Sequence, residues 1–307
     1  MRRSHRESAI PSALPRCRGF GFRHVRFEMS EPRHITSREN PSFKALRALV
    51  DDPRRQGCAL IDGIHLVATC FARNIVVRQL LVSESGRQNA EIVALMQGAA
   101  GADRAILRDS LFREISGVAT PTGIAAVIDI PPVVGGAPSS DAVLLDAVQD
   151  AGNVGAILRT AAAAGLRDVV LGMGCAGAWT PRVLRAAQGA HFSLAIREQV
   201  DLQAILAACP ATSIATVAHG GASLHELDLT GPIIWLVGNE GAGLAPQLIA
   251  AAKIRATIPL ASGTESLNVA AAIAVCLFEA RRQRCLRSSS GTADLEETRS
   301  ADPCAPK

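Results

Sequence analysis

The chain has 307 residues, 48% of them hydrophobic, and a formal net charge of +4. That apolar content supports a sizeable core and excludes a chain dominated by disorder, while the length suits two domains of ordinary size. The longest apolar run, Val269–Phe278, is about half of what a bilayer requires, and the Arg-rich start lacks the apolar segment of a secretory signal. Residues 1–28 carry seven arginines against Glu7 and Glu28, a surplus of +5, so the remainder stands at −1. Net charge is therefore no argument that the folded part binds nucleic acid. The eight cysteines are scattered without a C-x-x-C pair, which reads as reduced thiols in a cytoplasmic protein, and no His/Cys/Asp cluster has metal-ligand spacing, so no metal is expected.

Residues 1–33 have no periodicity and read as a disordered basic extension. Met29 is a possible true start, with a basic RNA-binding arm as the sharper alternative. Residues 34–130 alternate strands and helices, a small α/β domain. Asn40 is placed to cap a helix through Phe43, Leu46 and Leu49. Cys58–Ile61 is a strand leading into Asp62-Gly63, Ile64–Phe71 a helix and Val76–Val82 a strand. A helix over Ala90–Gln97, a strand at Ala105–Leu107, a helix capped by Asp109-Ser110 and a strand over Ile124–Ile130 complete it. PPVVGGAPSS at residues 131–140 is a linker by composition.

Residues 141–287 form a second α/β domain. Predicted strands at Val143–Val148, Asp168–Leu171, Ser193–Ile196, Thr212–Val217, Ile233–Val237 and Ile254–Ile258 alternate with helices. The architecture expected is a predominantly parallel sheet with helices on both faces. A helix from about Leu267 to Leu286, with Ser266 as N-cap, closes the domain, and residues 288–307 read as a disordered tail.

Three segments carry chemistry. Asn153-x-Gly155-x-x-x-Arg159 opens a helix after a strand; Asn153 is placed to cap it, Gly155 to let a ligand approach the backbone, and Arg159 to reach the strand ends. Gly238-Asn239-Glu240-Gly241-Ala242-Gly243 follows an apolar strand and holds one carboxylate among small residues. It lacks G-x-G-x-x-G spacing and a following Lys-Ser/Thr, which argues against a dinucleotide or P-loop site. Ser266-Leu267-Asn268 starts the last helix. His65, His191, His219 and His225 lack a nucleophile at triad spacing and read as structural or surface residues.

Taken together, NVGAILRTAAAAG, WLVGNEGAGL and IPLASGTESLNVAAAIAVCLFEARRQR resemble, in order and spacing, the three motifs of the SpoU (TrmH-like) RNA 2′-O-ribose methyltransferases of the SPOUT superfamily. ITSRENPSFKALRAL, ALIDGIHLV and TPTGIAAVI resemble the small substrate-binding domain of its two-domain 23S ribosomal RNA members, so the likeness spans roughly residues 34–287. It implies a trefoil-knotted domain, S-adenosylmethionine as cofactor, RNA as partner, and a homodimer with its site at the subunit interface. Carried over by motif, Leu236, Val237, Gly238, Asn239, Gly241, Ile258, Leu260 and Leu267 would hold the cofactor. Arg159 would face the ribose hydroxyl, with Asn153, Glu240, Ser266 and Asn268 as the polar residues of the site. An arginine is a poor base, its pKa lying above 12, so stabilisation of developing alkoxide charge is the role read for it. Two positions depart from the family: Arg185-Ala186-Ala187 stands where Arg-Ala-Ser is common, and Leu260 where methionine is usual. A transfer-RNA enzyme, a catalytically silent RNA-binding or ribosome-assembly protein, and a nucleotide-binding oxidoreductase are the rival readings.

Overall fold

The computed structural model describes residues 32–99, 101–132 and 136–291. The expected basic extension therefore lies almost wholly outside the described residues, as does most of the expected tail. The first unit runs β1 (Arg33–Ile35), α1 (Pro41–Asp51), α2 (Pro53–Gln56), β2 (Cys58–Asp62), α3 (Ile64–Ala72), β3 (Val77–Ser83), α4 (Ala90–Gly98), β4 (Asp103–Leu107), α5 (Asp109–Ser116) and β5 (Ile124–Asp129). Its five strands lie in the order β1-β4-β3-β5-β2. Asn40 caps α1, its side chain accepting from the Ser42 amide. Asp109 does not cap α5; Arg108 holds that position, and the Asp109 carboxylate accepts instead from the amide and hydroxyl of Ser85. The three-residue β1 and four-residue α2 are too short for a periodic pattern to mark.

The second unit runs β6 (Ala142–Leu145), α6 (Ala151–Ala164), β7 (Asp168–Gly172), α7 (Pro181–Ala187), β8 (Ala195–Val200), α8 (Leu202–Ala208), β9 (Thr212–Thr216), β10 (Ala222–Ser223), β11 (Ile233–Val237), α9 (Pro246–Ala251), β12 (Ile254–Thr257) and α10 (Val269–Gly291). Its seven strands lie in the order β10-β12-β9-β11-β6-β7-β8, with every pairing parallel. A parallel sheet needs cover on both faces, which is why its strands read as continuous apolar runs. Val143, Leu145, Trp235 and Val237 pack on one face with residues of α6, α7 and α10, whereas Ala142, Leu144, Ile234 and Leu236 pack on the other with residues of α8 and α9.

Several boundaries move. The strand expected at Ser193–Ile196 begins at Ala195, because Ala190–Ser193 winds as a 3-10 turn. α10 runs past Leu286 to Gly291, so the first residues of the expected tail are helical. Cys58 and Cys285 each take part in a disulfide, against the expectation of reduced thiols, whereas Cys70, Cys175, Cys209 and Cys276 are free. No helix among the described residues is long and apolar enough to cross a membrane.

The two sheets share a core. Ala59, Ile61, Leu66, Cys70 and Ile128 of the first unit belong to the same apolar cluster as Val183, Leu184, Ala187 and Ala190 of the second.

Candidate active site at the C-terminal edge of the parallel sheet

The loops after β9, β11 and β12, together with the start of α10, enclose a cavity of about 520 Å³. This is the edge where open parallel sheets present backbone groups to ligands. The loop after β11 is built by its own residues. Asn239 and Gly243 exchange backbone hydrogen bonds of 3.0 and 2.9 Å, and Asn239 Oδ1 accepts from the amides of Gly241 and Ala242. The Asn239 side-chain amide donates to the Ala147 carbonyl at 2.8 Å, pinning the loop to the end of β6. Asp146 accepts from the Ala245 amide at 2.8 Å and clamps the far end of the same loop. Gly238 is required by this turn: a Cβ there would lie 2.2 Å from the Gly243 carbonyl carbon and the Leu244 nitrogen.

One polar tie crosses the mouth of the cavity. The Asn153 side-chain amide donates to Glu240 Oε1 at 2.9 Å, and Asn153 Oδ1 accepts from Asn268 Nδ2 at 2.9 Å. Asn153 is free to do so because it is not the helix cap. Asp150 caps α6, accepting from the Asn153 amide, which places Asn153 in the first turn with its side chain unspent. Asn268, not Ser266, caps α10: its Oδ1 accepts from the amides of Ala270 and Ala271 while its amide faces Asn153. Burial works to raise the Glu240 pKa, but the Asn153 amide and the backbone amides of Glu240, Gln149 and Asp150 outweigh it and hold the carboxyl below its ordinary value.

The predicted site residues divide into three groups. Gly238, Asn239, Glu240, Gly241, Ile258, Leu260, Ser266, Leu267 and Asn268 all line the cavity, and Asn153 is tied to its rim. Leu236 and Val237 do not line it; their side chains are buried in the two faces of the sheet core. Arg159 is exposed on α6, does not line the cavity, and makes no hydrogen bond or ion pair with a described residue. Gly155 serves packing instead of ligand approach: a Cβ there would meet Ala186 Cβ at 2.4 Å and the Val183 carbonyl at 2.8 Å. Sequence reasoning missed Asp146, Asp150 and the cavity wall Thr216–Ala218. Of these, Asp150 had a readable signal, an aspartate just before an alanine-rich helical run.

The cavity suits a ligand with both polar and apolar parts. The polar turn Gly238–Gly243 lines it on one side, and the apolar residues Ile258, Leu260, Leu267 and Val269 line it elsewhere. The fold and this edge have close counterparts among solved structures. The AdoMet-bound rRNA methyltransferase of Sinorhizobium meliloti superposes with a TM-score of 0.70 at 28% identity, covering 81% of this chain and 97% of that one. The SpoU methyltransferase AviRb of Streptomyces viridochromogenes in complex with AdoMet gives a TM-score of 0.69 at 25% identity, over 80% and 99%. Fold and site thus define an S-adenosylmethionine-dependent RNA methyltransferase of the SPOUT class.

Residues 141–278 match the SpoU rRNA Methylase family. The 23S rRNA (guanosine(2553)-2′-O)-methyltransferase RlmP of Bacillus subtilis is 32% identical over 254 residues, 81% of this chain and 99% of the relative. The chain belongs to the SpoU rRNA methylase family and is an RNA ribose 2′-O-methyltransferase.

Proposed function

We propose that the protein transfers a methyl group from S-adenosylmethionine to a ribose 2′-hydroxyl of 23S ribosomal RNA, acting in the cytoplasm as a homodimer whose sites combine residues of both copies. The observation that carries this reading is the separation of Arg159 from an otherwise assembled cavity. Arg159 stands exposed on α6 without a hydrogen-bond or ionic partner among the described residues, and the neighbouring α10 exposes Val275 and Phe278, an apolar face for a second copy to cover. Docking of two such faces would bring Arg159 of one copy toward the cavity of the other. The activities of the relatives favour ribosomal RNA: RlmP acts on a 23S guanosine, and the relative from Streptomyces viridochromogenes on a 23S uridine.

When bound, the cofactor supplies an electrophilic methyl group on a sulfonium. The turn Gly238–Gly243 and the segments Ile258–Leu260 and Ser266–Asn268 would hold it. The tie of Glu240, Asn153 and Asn268 fixes α6 and α10 against that turn, so the wall is preorganised before binding. Arg159 would stabilise charge developing on the 2′-oxygen and, by contact with the adjoining phosphate, orient the ribose. The first sheet and its helices would grip RNA beyond the target nucleotide.

Labelled methyl transfer to 23S RNA, with nucleotide-resolution mapping of the product, tests the activity. A mixed-dimer assay tests the shared site. Arg159→Ala and Asn153→Ala are each expected to be inactive alone, and their mixture to recover part of the activity. A mixture as inactive as its components would exclude a composite site.

A further inference from the structure

Between the two sheets lies a half-buried ionic contact to which the reaction itself assigns no role. Arg185, on α7, sends Nη2 across to Asp62 Oδ2 at 3.2 Å and to the Ser116 carbonyl at 2.9 Å. Ser116, at the end of α5, donates its hydroxyl to the same Asp62 oxygen at 2.6 Å. Asp62 and Ser116 are buried, and Asp62 Oδ1 has no hydrogen-bond partner. A carboxylate this enclosed depends on its cation, because the interior cannot solvate it. A second polar contact joins the units: Arg73, which caps the C-terminal end of α3, donates to Ser193 Oγ at 2.6 Å.

The helix that makes this contact is also pressed against α6. Ala186 and Val183 of α7 occupy the space that a Cβ at Gly155 would need, so α7 cannot shift without moving α6. α6 carries both Asn153 of the cavity tie and Arg159. The Asp62–Arg185 contact thus reaches the cavity through two helices, α7 packed on Gly155 of α6 and α6 carrying Asn153.

We propose that Arg185 is a positioning residue: paired with Asp62 and Ser116, it sets the first unit at a fixed angle to α6, so that one RNA engages that unit and the catalytic unit at the same time and binds more tightly than to either alone. This rests on the function proposed above. The paired geometry is directional, which distinguishes it from the apolar contact around it: apolar packing tolerates sliding, but two hydrogen bonds from one guanidinium nitrogen to two fixed oxygens do not.

Arg185→Met alone leaves Asp62 buried and uncompensated, so the paired variant Arg185→Met with Asp62→Leu serves as the form that folds without the ionic tie. Steady-state methylation of 23S RNA by the full chain should show KM for RNA raised about tenfold, a loss of roughly 1.4 kcal/mol of binding. The kcat at saturating RNA and the affinity for S-adenosylmethionine should be unchanged, and Arg185→Lys should recover part of the loss. Hydrogen exchange in α3 and in Ala190–Ser193 should quicken in the paired variant, a readout independent of activity. An unchanged KM in a folded paired variant would overturn the proposal, as would a fall in kcat at constant KM, or exchange at the seam identical to that of the native chain. Absence of any methylation by the native chain would instead sink the proposed function, and hydrogen exchange alone would then judge the contact.

Discussion

Asn268 donates from its side-chain amide to Asn153 Oδ1 at 2.9 Å although 115 positions separate them. The same Asn268 caps α10 with its oxygen, so one side chain both ends a loop and joins two helices. Its two functions can be separated. Asn268→Asp keeps the capping oxygen and loses the donor; Asn268→Ala loses both. The alanine variant should be less stable by about 1 kcal/mol, the usual cost of a lost cap, whereas the aspartate variant should unfold near the native midpoint. Both should bind S-adenosylmethionine several-fold more weakly by calorimetry. Native affinity in the aspartate variant would show that the tie does not shape the cavity.

Glu240 makes the same tie sensitive to acid. Its carboxyl is held below its ordinary value of 4.5 despite burial, by the Asn153 amide and nearby backbone amides. A carboxylate with a depressed folded pKa contributes stability above its unfolded pKa and loses it as pH falls through the folded value. Glu240→Gln should therefore be less stable than the native chain at pH 7, with the gap closing below about pH 4.5. Denaturant unfolding of both proteins at pH 7 and pH 3 measures this; a gap of equal size at the two pH values would refute it.

His191 acts in a higher pH window. Burial pushes its pKa down to about 4, against a lesser opposing effect of its bond to the Ala178 carbonyl. Nε2 lies 2.7 Å from that carbonyl and donates to it, and buried Nδ1 has no partner, so the neutral ring is the stable form. Stability is full above the unfolded value of 6.5 and falls as pH drops toward about 4. At pH 5 the loss should be about 2 kcal/mol, at roughly 1.4 kcal/mol per pH unit. His191→Gln retains a donor without titrating and should show a flatter profile over this range by thermal unfolding.

Glycines of the loop after β11 should respond unequally to alanine. At Gly238 the added Cβ would lie 2.2 Å from backbone atoms that cannot yield without opening the turn, whereas at Gly241 the nearest atom is Asn239 Oδ1 at 3.6 Å. Gly238→Ala should lose 1–3 kcal/mol, roughly the cost of overpacking, together with cofactor binding. Gly241→Ala should be close to native in both. Equal effects would contradict the fold of the loop.

The exposed apolar face of α10 makes a separate prediction. Phe278→Glu should give a monomer by analytical ultracentrifugation and lose methylation while still binding S-adenosylmethionine. A dimeric, active Phe278→Glu protein would remove this face from the proposed interface.

The layered α/β architecture was legible in the residue pattern, since buried parallel strands must be apolar on both faces and the helices between them must show a period near 3.6. It also marked the loops after β11 and β12, because Gly238–Gly243 and Pro259–Asn268 interrupt apolar runs with residues that serve turns. The three motifs together reached the chemistry that none of them carried alone. The partners of individual polar side chains emerged only from the packing of the whole chain. Capping of α6 passed from Asn153 to Asp150, and of α10 from Ser266 to Asn268, which left Asn153 to join Glu240 and Asn268. Gly155 turned from a ligand contact into a helix contact, and Asp62 found Arg185 across 123 positions. Local spacing reports which face of an element a residue occupies. Which distant group meets it there depends on how the sheets and helices pack, and a hydrogen bond requires placement within a few tenths of an ångström.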